Sequence, residues 1–121
     1  MPRRLTRLSS EELVCLFVEL SIKQDDALLG FETKKSNRIY GRIDAIVKEL
    51  KSREGDQRRA LIPLYTHGNP QVRLKAATVT LALEPAAARK ILESMKDIHG
   101  PQRLYAGMTL RALDDGIFKP I

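Results

Sequence analysis

The stretch that decides the fold is RLKAATVTLAL, residues 73–83, because a related stretch, RLYAGMTLRAL, follows at residues 103–113. At an offset of thirty residues, Arg, Leu, Ala, Ala and Leu recur in the two copies. Self-similarity at such a period is typical of stacked helical hairpins, in which each helix pair buries its apolar face on the next pair. The repeat therefore predicts a helical stack.

The segments around the two copies carry helix-boundary signals. Gly68-Asn69-Pro70-Gln71 precedes the first copy and Gly100-Pro101-Gln102 the second, and a histidine precedes each glycine. Glycine ends a helix, asparagine caps the next one, and proline suits a first helical turn. These signals predict a fourth helix from Pro70 to about Leu83, a fifth starting at Pro85, and a sixth ending near Leu113.

The first copy resembles HEAT-like repeats, whose second helix commonly opens with Pro-x-Val-Arg followed by paired alanines. Asn69-Pro70-Gln71-Val72-Arg73 and Ala76-Ala77 fit this pattern, whereas the second copy lacks the valine and has Gly107 in place of one alanine. The resemblance covers residues 56–114. It implies that Arg73 has a structural role and braces neighbouring units through acidic or carbonyl groups.

Two helices are predicted before the repeat. Ser9 and Glu12 form a capping box, and the apolar positions Leu13, Leu16, Phe17 and Leu20 share one face of a helix that ends near Leu29 and Gly30. Val14, Val18 and Ile22 form a second apolar stripe on that helix. The second helix has one apolar face, formed by Ile39, Ile43, Ile46, Val47 and Leu50, and Gly41 inside it suggests a close crossing or a bend.

A short third helix should begin at the N-cap Asp56 and run to Tyr65, with Pro63 kinking or shortening it. The predicted fold class is all-α: an α-α superhelix of antiparallel helix pairs with two HEAT-like units. We expect one domain, 1–121. It would comprise an N-terminal helix pair (9–53), a first HEAT-like unit (56–83) and a second (85–114).

The whole chain also resembles a bacterial family known only as a domain of unknown function, number two-thousand-and-nineteen in its series. The residues that carry this resemblance are Lys35-Ser36-Asn37-Arg38, Val72-Arg73-Leu74 and Leu113-Asp114-Asp115-Gly116. It implies a helical superhelix and supplies no activity.

No constellation in the sequence predicts an enzyme. His67 and His99 lack a cysteine or acidic neighbour at ligand spacing, and equivalent positions in stacked units lie roughly 8–10 Å apart, too far to share one ion. The adjacent pairs Asp25-Asp26 and Asp114-Asp115 cannot converge on a substrate. Cys15 lies in an apolar run and is expected to be a buried small hydrophobe. We predict no catalytic residue, metal, cofactor or small-molecule substrate.

The apolar run that begins at Leu13 is interrupted by Glu19 and Lys23, so it is too charged for a membrane span or a signal core. A single cysteine fits a reducing compartment. We therefore expect a cytoplasmic protein that does not enter a membrane.

Charge is distributed unevenly along the chain, whose net charge is +6. Residues 11–33 carry one lysine against six acidic residues, and residues 34–59 carry nine basic residues against four acidic ones. The basic face of 34–59 could follow a phosphate backbone, with Lys34, Lys35, Arg38 and Arg42 as candidate phosphate-binding residues. Alternatively, the basic residues of 34–59 form the solvent-exposed face of a helix that lies beside an acidic helix.

The favoured prediction is a non-enzymatic interaction module that binds another protein or forms a homodimer, with nucleic-acid binding as the alternative. The candidate partner-binding residues are expected on one surface of parallel second helices: Lys75, Thr78, Arg103, Tyr105 and Met108. The second apolar stripe of the first helix is another candidate contact, unless the N-terminal arm covers it.

Overall fold

The structure, a computed structural model, describes the backbone from Pro2 to Ile121 and the side chains from Leu5 onward. Within this part every regular element is a helix, so the predicted all-helical class is confirmed. The α-helices are α1 (Pro2–Arg7), α2 (Ser10–Leu29), α3 (Thr33–Ser52), α4 (Pro70–Val79), α5 (Pro85–Glu93) and α6 (Pro101–Asp114). Two 3-10 helices span Gln57–Thr66 and Ser94–Asp97.

The chain divides into two compact units, one ending at Leu61 and the other beginning at Ile62. The first unit holds α1 to α3 and the second holds α4 to α6. The boundary falls inside the 3-10 helix Gln57–Thr66, and so inside the expected first HEAT-like unit, 56–83.

In the first unit, α2 and α3 form a hairpin joined by residues 30–32. The predicted capping box is present: the Glu12 amide donates to Ser9 Oγ, and the Ser9 amide donates to Glu12 Oε1, both at 3.0 Å. The hairpin buries the apolar faces that the spacing predicted. Its core residues are Leu13, Phe17, Leu20, Ala27, Ile39, Ile43, Ile46 and Leu50.

Arg53, just after α3, connects this hairpin to the N-terminal segment. Its Nη2 donates to the carbonyl oxygens of Leu5 (2.9 Å) and Leu8 (2.6 Å), while its Nε pairs with Glu49 (3.0 Å). Helix α1, which the sequence did not predict, packs against α3. The sequence analysis offered the N-terminal arm as a cover for the second apolar stripe of α2, formed by Val14, Val18 and Ile22. In the structure this arm packs on α3.

Two expectations about the first unit are wrong. Cys15 is exposed rather than buried, because α2 turns the face of Leu13 and Phe17 inward and Cys15 lies on the opposite side. Of the two expectations for Gly41, the close crossing is wrong, because a Cβ placed there would have no atom within 4 Å.

In the second unit, the three helices α4, α5 and α6 pack on one another. The predicted restart at residue 70 is confirmed: Asn69 Oδ1 accepts from the amides of Gln71 (2.8 Å) and Val72 (3.3 Å), and Pro70 occupies the first turn. The segment before it is a 3-10 helix rather than the expected α-helix, and Pro63 inside that segment lacks the amide hydrogen that an α-helix would use.

Helix α4 ends at Val79, four residues before the predicted Leu83. The Thr80 hydroxyl donates to the Ala76 carbonyl at 2.7 Å, and residues 80–83 form a turn in which the Leu83 amide donates to the Thr80 carbonyl at 2.9 Å. This local side-chain bond competes with helix continuation. Similarly, α5 ends at Glu93, and the short 3-10 helix Ser94–Asp97 follows it.

The repeated leucines do not share one environment. Leu74 is 4% exposed but its counterpart Leu104 is 64% exposed, and Leu83 and Leu113 are half-buried. The repeat predicts that each helix pair buries its apolar face, and this prediction is wrong at Leu104. Helix α4 buries residues on several sides, among them Val72, Leu74 and Ala76, whereas α6 buries only the face that carries Gln102, Ala106 and Leu110.

Candidate docking surfaces

The outer face of α6 is apolar along its centre. Leu104, Tyr105 and Met108 are 64%, 43% and 58% exposed. With about 100° per residue, Leu104 and Met108 point almost opposite to the buried Ala106 and occupy successive turns. Contiguous exposed apolar side chains of this kind mark interaction sites more often than isolated ones do.

Two arginines flank this apolar centre. Arg103 and Arg111 are exposed, and neither forms a salt bridge with an acidic side chain among residues 5–121. Gly107 lies between them, with no atom within 4 Å of a Cβ placed there. The missing side chain leaves a shallow groove of about 440 Å³, which Arg103, Leu104, Met108 and Arg111 also line. We call this set, Arg103, Leu104, Gly107, Met108 and Arg111, the α6 surface.

An ion-pair network holds the base of this surface in place. Arg89 on α5 bonds to Asp114 at the end of α6 (2.9 Å) and to Glu93 (3.3 Å). The hydrogen bond to Asp114 raises the pKa of the Arg89 guanidinium above its ordinary value. Asp114, one of the paired carboxylates, is thereby engaged in linking α5 to α6.

The sequence-predicted partner residues have different environments. Arg103, Tyr105 and Met108 are exposed on α6, whereas Lys75 and Thr78 on α4 are half-buried. The Thr78 hydroxyl donates to the Leu74 carbonyl at 2.8 Å. Leu104 and Arg111, absent from the predicted set, are central to the α6 surface. The signal that could have identified them is helical spacing, because Leu104 lies four residues before Met108 and Arg111 lies eight residues after Arg103.

Some basic residues of the segment 34–59 form salt bridges, and others are exposed without one. Lys48 pairs with Asp44 (3.0 Å), Arg53 with Glu49 (3.0 Å) and Arg58 with Asp56 (2.6 Å). The four predicted phosphate-binding residues are instead all exposed in the N-terminal half of α3, and none pairs with an acidic side chain in residues 5–121: Lys34, Lys35, Arg38 and Arg42.

Phe31 in the turn before α3 was missed by the sequence analysis. It is 91% exposed and has a φ of +57°, in the left-handed region that a bulky side chain rarely adopts. The turn therefore presents an aromatic ring three residues before Lys34. No periodic pattern predicts such a position, because the conformation of a single turn residue is not periodic.

The residues considered for metal binding or catalysis do not converge. Asn69 donates its amide hydrogen to Nδ1 of His67 at 3.0 Å, which makes His67 part of the turn before α4. His99 is exposed. Among the described residues, no three His, Cys, Asp or Glu side chains are placed to hold one metal ion.

Arg73 donates to carbonyl groups, as the resemblance implied, but to those of the loop before its own helix rather than to a neighbouring unit. Its Nη1 donates to the carbonyl oxygens of His67 (2.7 Å) and Gly68 (3.2 Å). These bonds satisfy carbonyls in the loop that leads into α4. Arg73 therefore stabilises the turn between two helices and is not available as a surface charge.

Fold and surface together define an all-helical protein with exposed helix faces in the part that the structure describes. The model of the family described as "Domain of unknown function (DUF2019)" matches residues 11–114, and the chain belongs to this family.

A solved structure agrees with this assignment. The crystal structure of the protein RPA1889 from Rhodopseudomonas palustris CGA009 is similar, with 46% identity and a TM-score of 0.92. The alignment covers 97% of this chain and 98% of that one. No curated protein matches the chain. None of the described helices has the length and apolar character needed to cross a membrane.

Proposed function

We propose that this protein is a non-enzymatic interaction module that binds a protein partner, either another protein or a second copy, through the α6 surface. The observation that carries the proposal is the exposure of Leu104 and Met108 on successive turns between Arg103 and Arg111. Burial of these two side chains against a partner contributes roughly 25 cal/mol for each Å² of apolar area removed from water. The flanking arginines supply orientation.

A HEAT-like arrangement of residues 56–114 within an α-α superhelix is part of this proposal. Its support is the Pro70-to-Arg73 pattern at the start of α4 and the bonds from Arg73 to His67 and Gly68. Repeat proteins of this kind present rows of second helices as binding surfaces. The single cysteine supports the cytoplasm as the location that we propose.

Site-specific photo-crosslinking in cells of the source organism tests the function. A photoreactive residue replaces Met108, and Lys90 on α5, which is also exposed, provides the matched control position. We expect a discrete adduct from position 108 only, and its loss in Arg103→Glu/Arg111→Glu. Mass spectrometry of the adduct identifies the partner as this chain or another protein. No adduct at position 108, or one that persists in the charge variant, overturns the proposal.

Nucleic-acid binding is the second candidate, favoured by the four exposed basic residues of α3 and the adjacent ring of Phe31. Basic grooves with exposed aromatic rings bind single strands through phosphate contacts and base stacking. Anisotropy of a labelled single-stranded oligonucleotide, titrated over a salt series, measures this. Each phosphate contact contributes about −0.7 to the slope of log affinity against log salt.

The matched variants replace four basic residues by glutamine either on α3 or elsewhere. The α3 variant changes Lys34, Lys35, Arg38 and Arg42, and the control variant changes the exposed Lys23, Lys90, Lys96 and Lys119. If α3 binds nucleic acid, only the α3 variant loses affinity for the oligonucleotide and shows a shallower slope of log affinity against log salt. Equal losses in both variants, or no binding by the unmodified protein, reject this candidate.

A further inference from the structure

The solvent face of α2 carries a pattern that matches the α6 surface. Glu11, Cys15 and Glu19 lie at four-residue steps, are all exposed and line one groove of about 520 Å³. Leu8 and Leu16 also line this groove. We call the set Glu11, Cys15, Leu16 and Glu19 the α2 surface. Acidic residues thus flank a small central residue with apolar side chains beside it.

The spacing and the charges of the two surfaces are complementary. Arg103, Gly107 and Arg111 also lie at four-residue steps, so each surface places two like charges about 12 Å apart along its helix, with a small residue midway. The charges are negative on α2 and positive on α6. A helix bearing glutamates at this spacing can therefore pair with both arginines at once.

Apolar side chains accompany both sets of charges. Beside the charged row of α6 lie the exposed Leu104 and Met108, and beside that of α2 lies Leu16, which is half-buried. Small residues at the centre of two facing helices allow the close approach that buries such rows. The contact would thus bury apolar area as well as pair charges.

The charged groups that face this contact are free to exchange partners. Glu11 forms no salt bridge within residues 5–121, and Glu19 pairs only with Lys23, at 3.4 Å, with both side chains more than half exposed. Exposed pairs of this type contribute little, so an arginine from outside can replace Lys23. Glu12 differs, because its bond to the Ser9 amide belongs to the capping box and lowers the pKa of its carboxyl.

We propose that the α6 surface of one copy of this chain binds the α2 surface of a second copy, with the helices antiparallel and Glu11 facing Arg111, Cys15 facing Gly107 and Glu19 facing Arg103. Antiparallel packing opposes the two helix dipoles and brings Arg111, in the last turn of α6, to the acidic side chain of Glu11 in the first turn of α2. This inference rests on the proposed function of the α6 surface and names its partner.

Contact between two copies of α6 fits the charges less well. An antiparallel pair centred on Gly107 would bring Arg103 against Arg111, and a parallel pair would bring each arginine against itself. Both arrangements place like charges together. The assembly that follows from the α2–α6 contact is heterologous, because two different surfaces meet.

Charge reversal tests the inference through sedimentation velocity. The unmodified protein should self-associate in a concentration- and salt-dependent manner, and either Arg103→Glu/Arg111→Glu or Glu11→Arg/Glu19→Arg should weaken this about tenfold or more. Mixing the two variants should restore association, because each supplies the complement of the other. Lys90→Glu/Lys119→Glu, which reverses two exposed charges outside both surfaces, should leave association unchanged.

A disulfide measurement tests the register. Gly107→Cys combined with Cys15→Ser in one chain leaves a single thiol on α6, and the unmodified chain has a single thiol on α2. Mild oxidation of the mixture should give a covalent dimer between positions 15 and 107. Replacing Gly107→Cys by Lys90→Cys in the partner should abolish it.

The inference is overturned if the unmodified protein is monomeric at its highest attainable concentration, if mixing the charge variants restores nothing, or if the position-90 cysteine crosslinks equally well. A monomer that still gives a Met108 adduct with a different protein rejects self-association and leaves the proposed function standing. A monomer without any adduct rejects both.

Discussion

Gln102 donates a hydrogen bond from Nε2 to Oε1 of Gln71 at 2.9 Å, and both side chains are buried. Each glutamine follows the first-turn proline of its helix, Pro70 in α4 and Pro101 in α6. The bond therefore joins the starts of the two repeated helices. A buried amide without a partner is costly, so this pair specifies how α4 and α6 align.

We predict that Gln71→Leu and Gln102→Leu each lower the free energy of unfolding by about 1–3 kcal/mol, because each leaves a buried amide short of a partner. The double variant should cost less than the sum of the single ones, since the two residues interact directly. Urea unfolding of the four proteins gives the coupling energy. Additive losses would show that the pair does not contribute to stability as a unit.

The two repeated leucines should respond differently to truncation. Leu74→Ala removes a buried side chain and should cost about 2–5 kcal/mol. Leu104→Ala removes an exposed one and should change stability by no more than about 0.5 kcal/mol. Thermal and urea unfolding of the matched pair measure this. Similar losses at the two positions would mean that Leu104 is buried.

The Asp56–Arg58 ion pair should contribute to the stability of the first unit in a way that is lost in acid. Two hydrogen bonds from the Arg58 side chain, at 2.6 and 2.8 Å, lower the pKa of the Asp56 carboxyl from its ordinary value of 3.8. A lowered folded-state pKa means that the contribution is present above about pH 4 and is lost as the pH falls through the folded-state value.

Asp56→Asn should therefore cost about 2 kcal/mol at neutral pH, since it removes the carboxylate that accepts two hydrogen bonds from the buried Arg58 side chain. Asparagine tolerates the left-handed φ of +52° at this position, so the substitution isolates the charge. Unfolding measured from pH 7 to pH 2 should show the difference shrinking with acid. A difference that is independent of pH contradicts the assignment.

Tyr65 should give the second unit an alkali-sensitive contribution. Thr80 donates its hydroxyl proton to the Ala76 carbonyl at 2.7 Å, so the Tyr65 hydroxyl donates to Thr80 Oγ1. Burial raises the pKa of the Tyr65 phenol above its ordinary value of 10.0. The folded state then holds the proton more tightly than the unfolded state, and stability falls as the pH rises above about 10.

Tyr65→Phe should cost about 1 kcal/mol at neutral pH through the lost hydrogen bond. It should also flatten the decline in stability above pH 10, because phenylalanine has no proton to release. Urea unfolding at pH 7 and at pH 10.5 compares the two proteins. If Tyr65→Phe loses stability above pH 10 as steeply as the unmodified protein, a residue other than Tyr65 causes this loss.

The sequence predicted the helical segments and most buried faces well. The capping box at Ser9, the restart at Asn69-Pro70 and the inner face of α3 depend on residues within one or two turns of each other. Local hydrogen bonding and periodicity determine such features. Helix α1 was missed, because its contact with Arg53 joins residues far apart in the sequence. The early end of α4 was missed although the bond from Thr80 to Ala76 is local, because the apolar periodicity continues past Thr80.

The candidate surfaces were only partly predictable. The sequence identified Arg103, Tyr105 and Met108, but it grouped them with Lys75 and Thr78, which the packing of α4 half-buries. It also placed Cys15 inside, although the opposite face of α2 forms the core. Composition indicates that a side chain is apolar, but only its neighbours in space decide whether it is covered.

By itself, then, the sequence determined that the chain is helical, where most helices begin, and which face of α3 is apolar, since these properties arise from residues close together along the chain. The tertiary structure alone decided that Leu74 lies inside while Leu104 lies outside, although both come from the same repeated pattern. The physical reason is that burial depends on which faces of a helix its surroundings cover. Helix α4 buries Val72, Leu74, Ala76 and Ala77, which point in several directions, whereas α6 buries only the face of Gln102, Ala106 and Leu110.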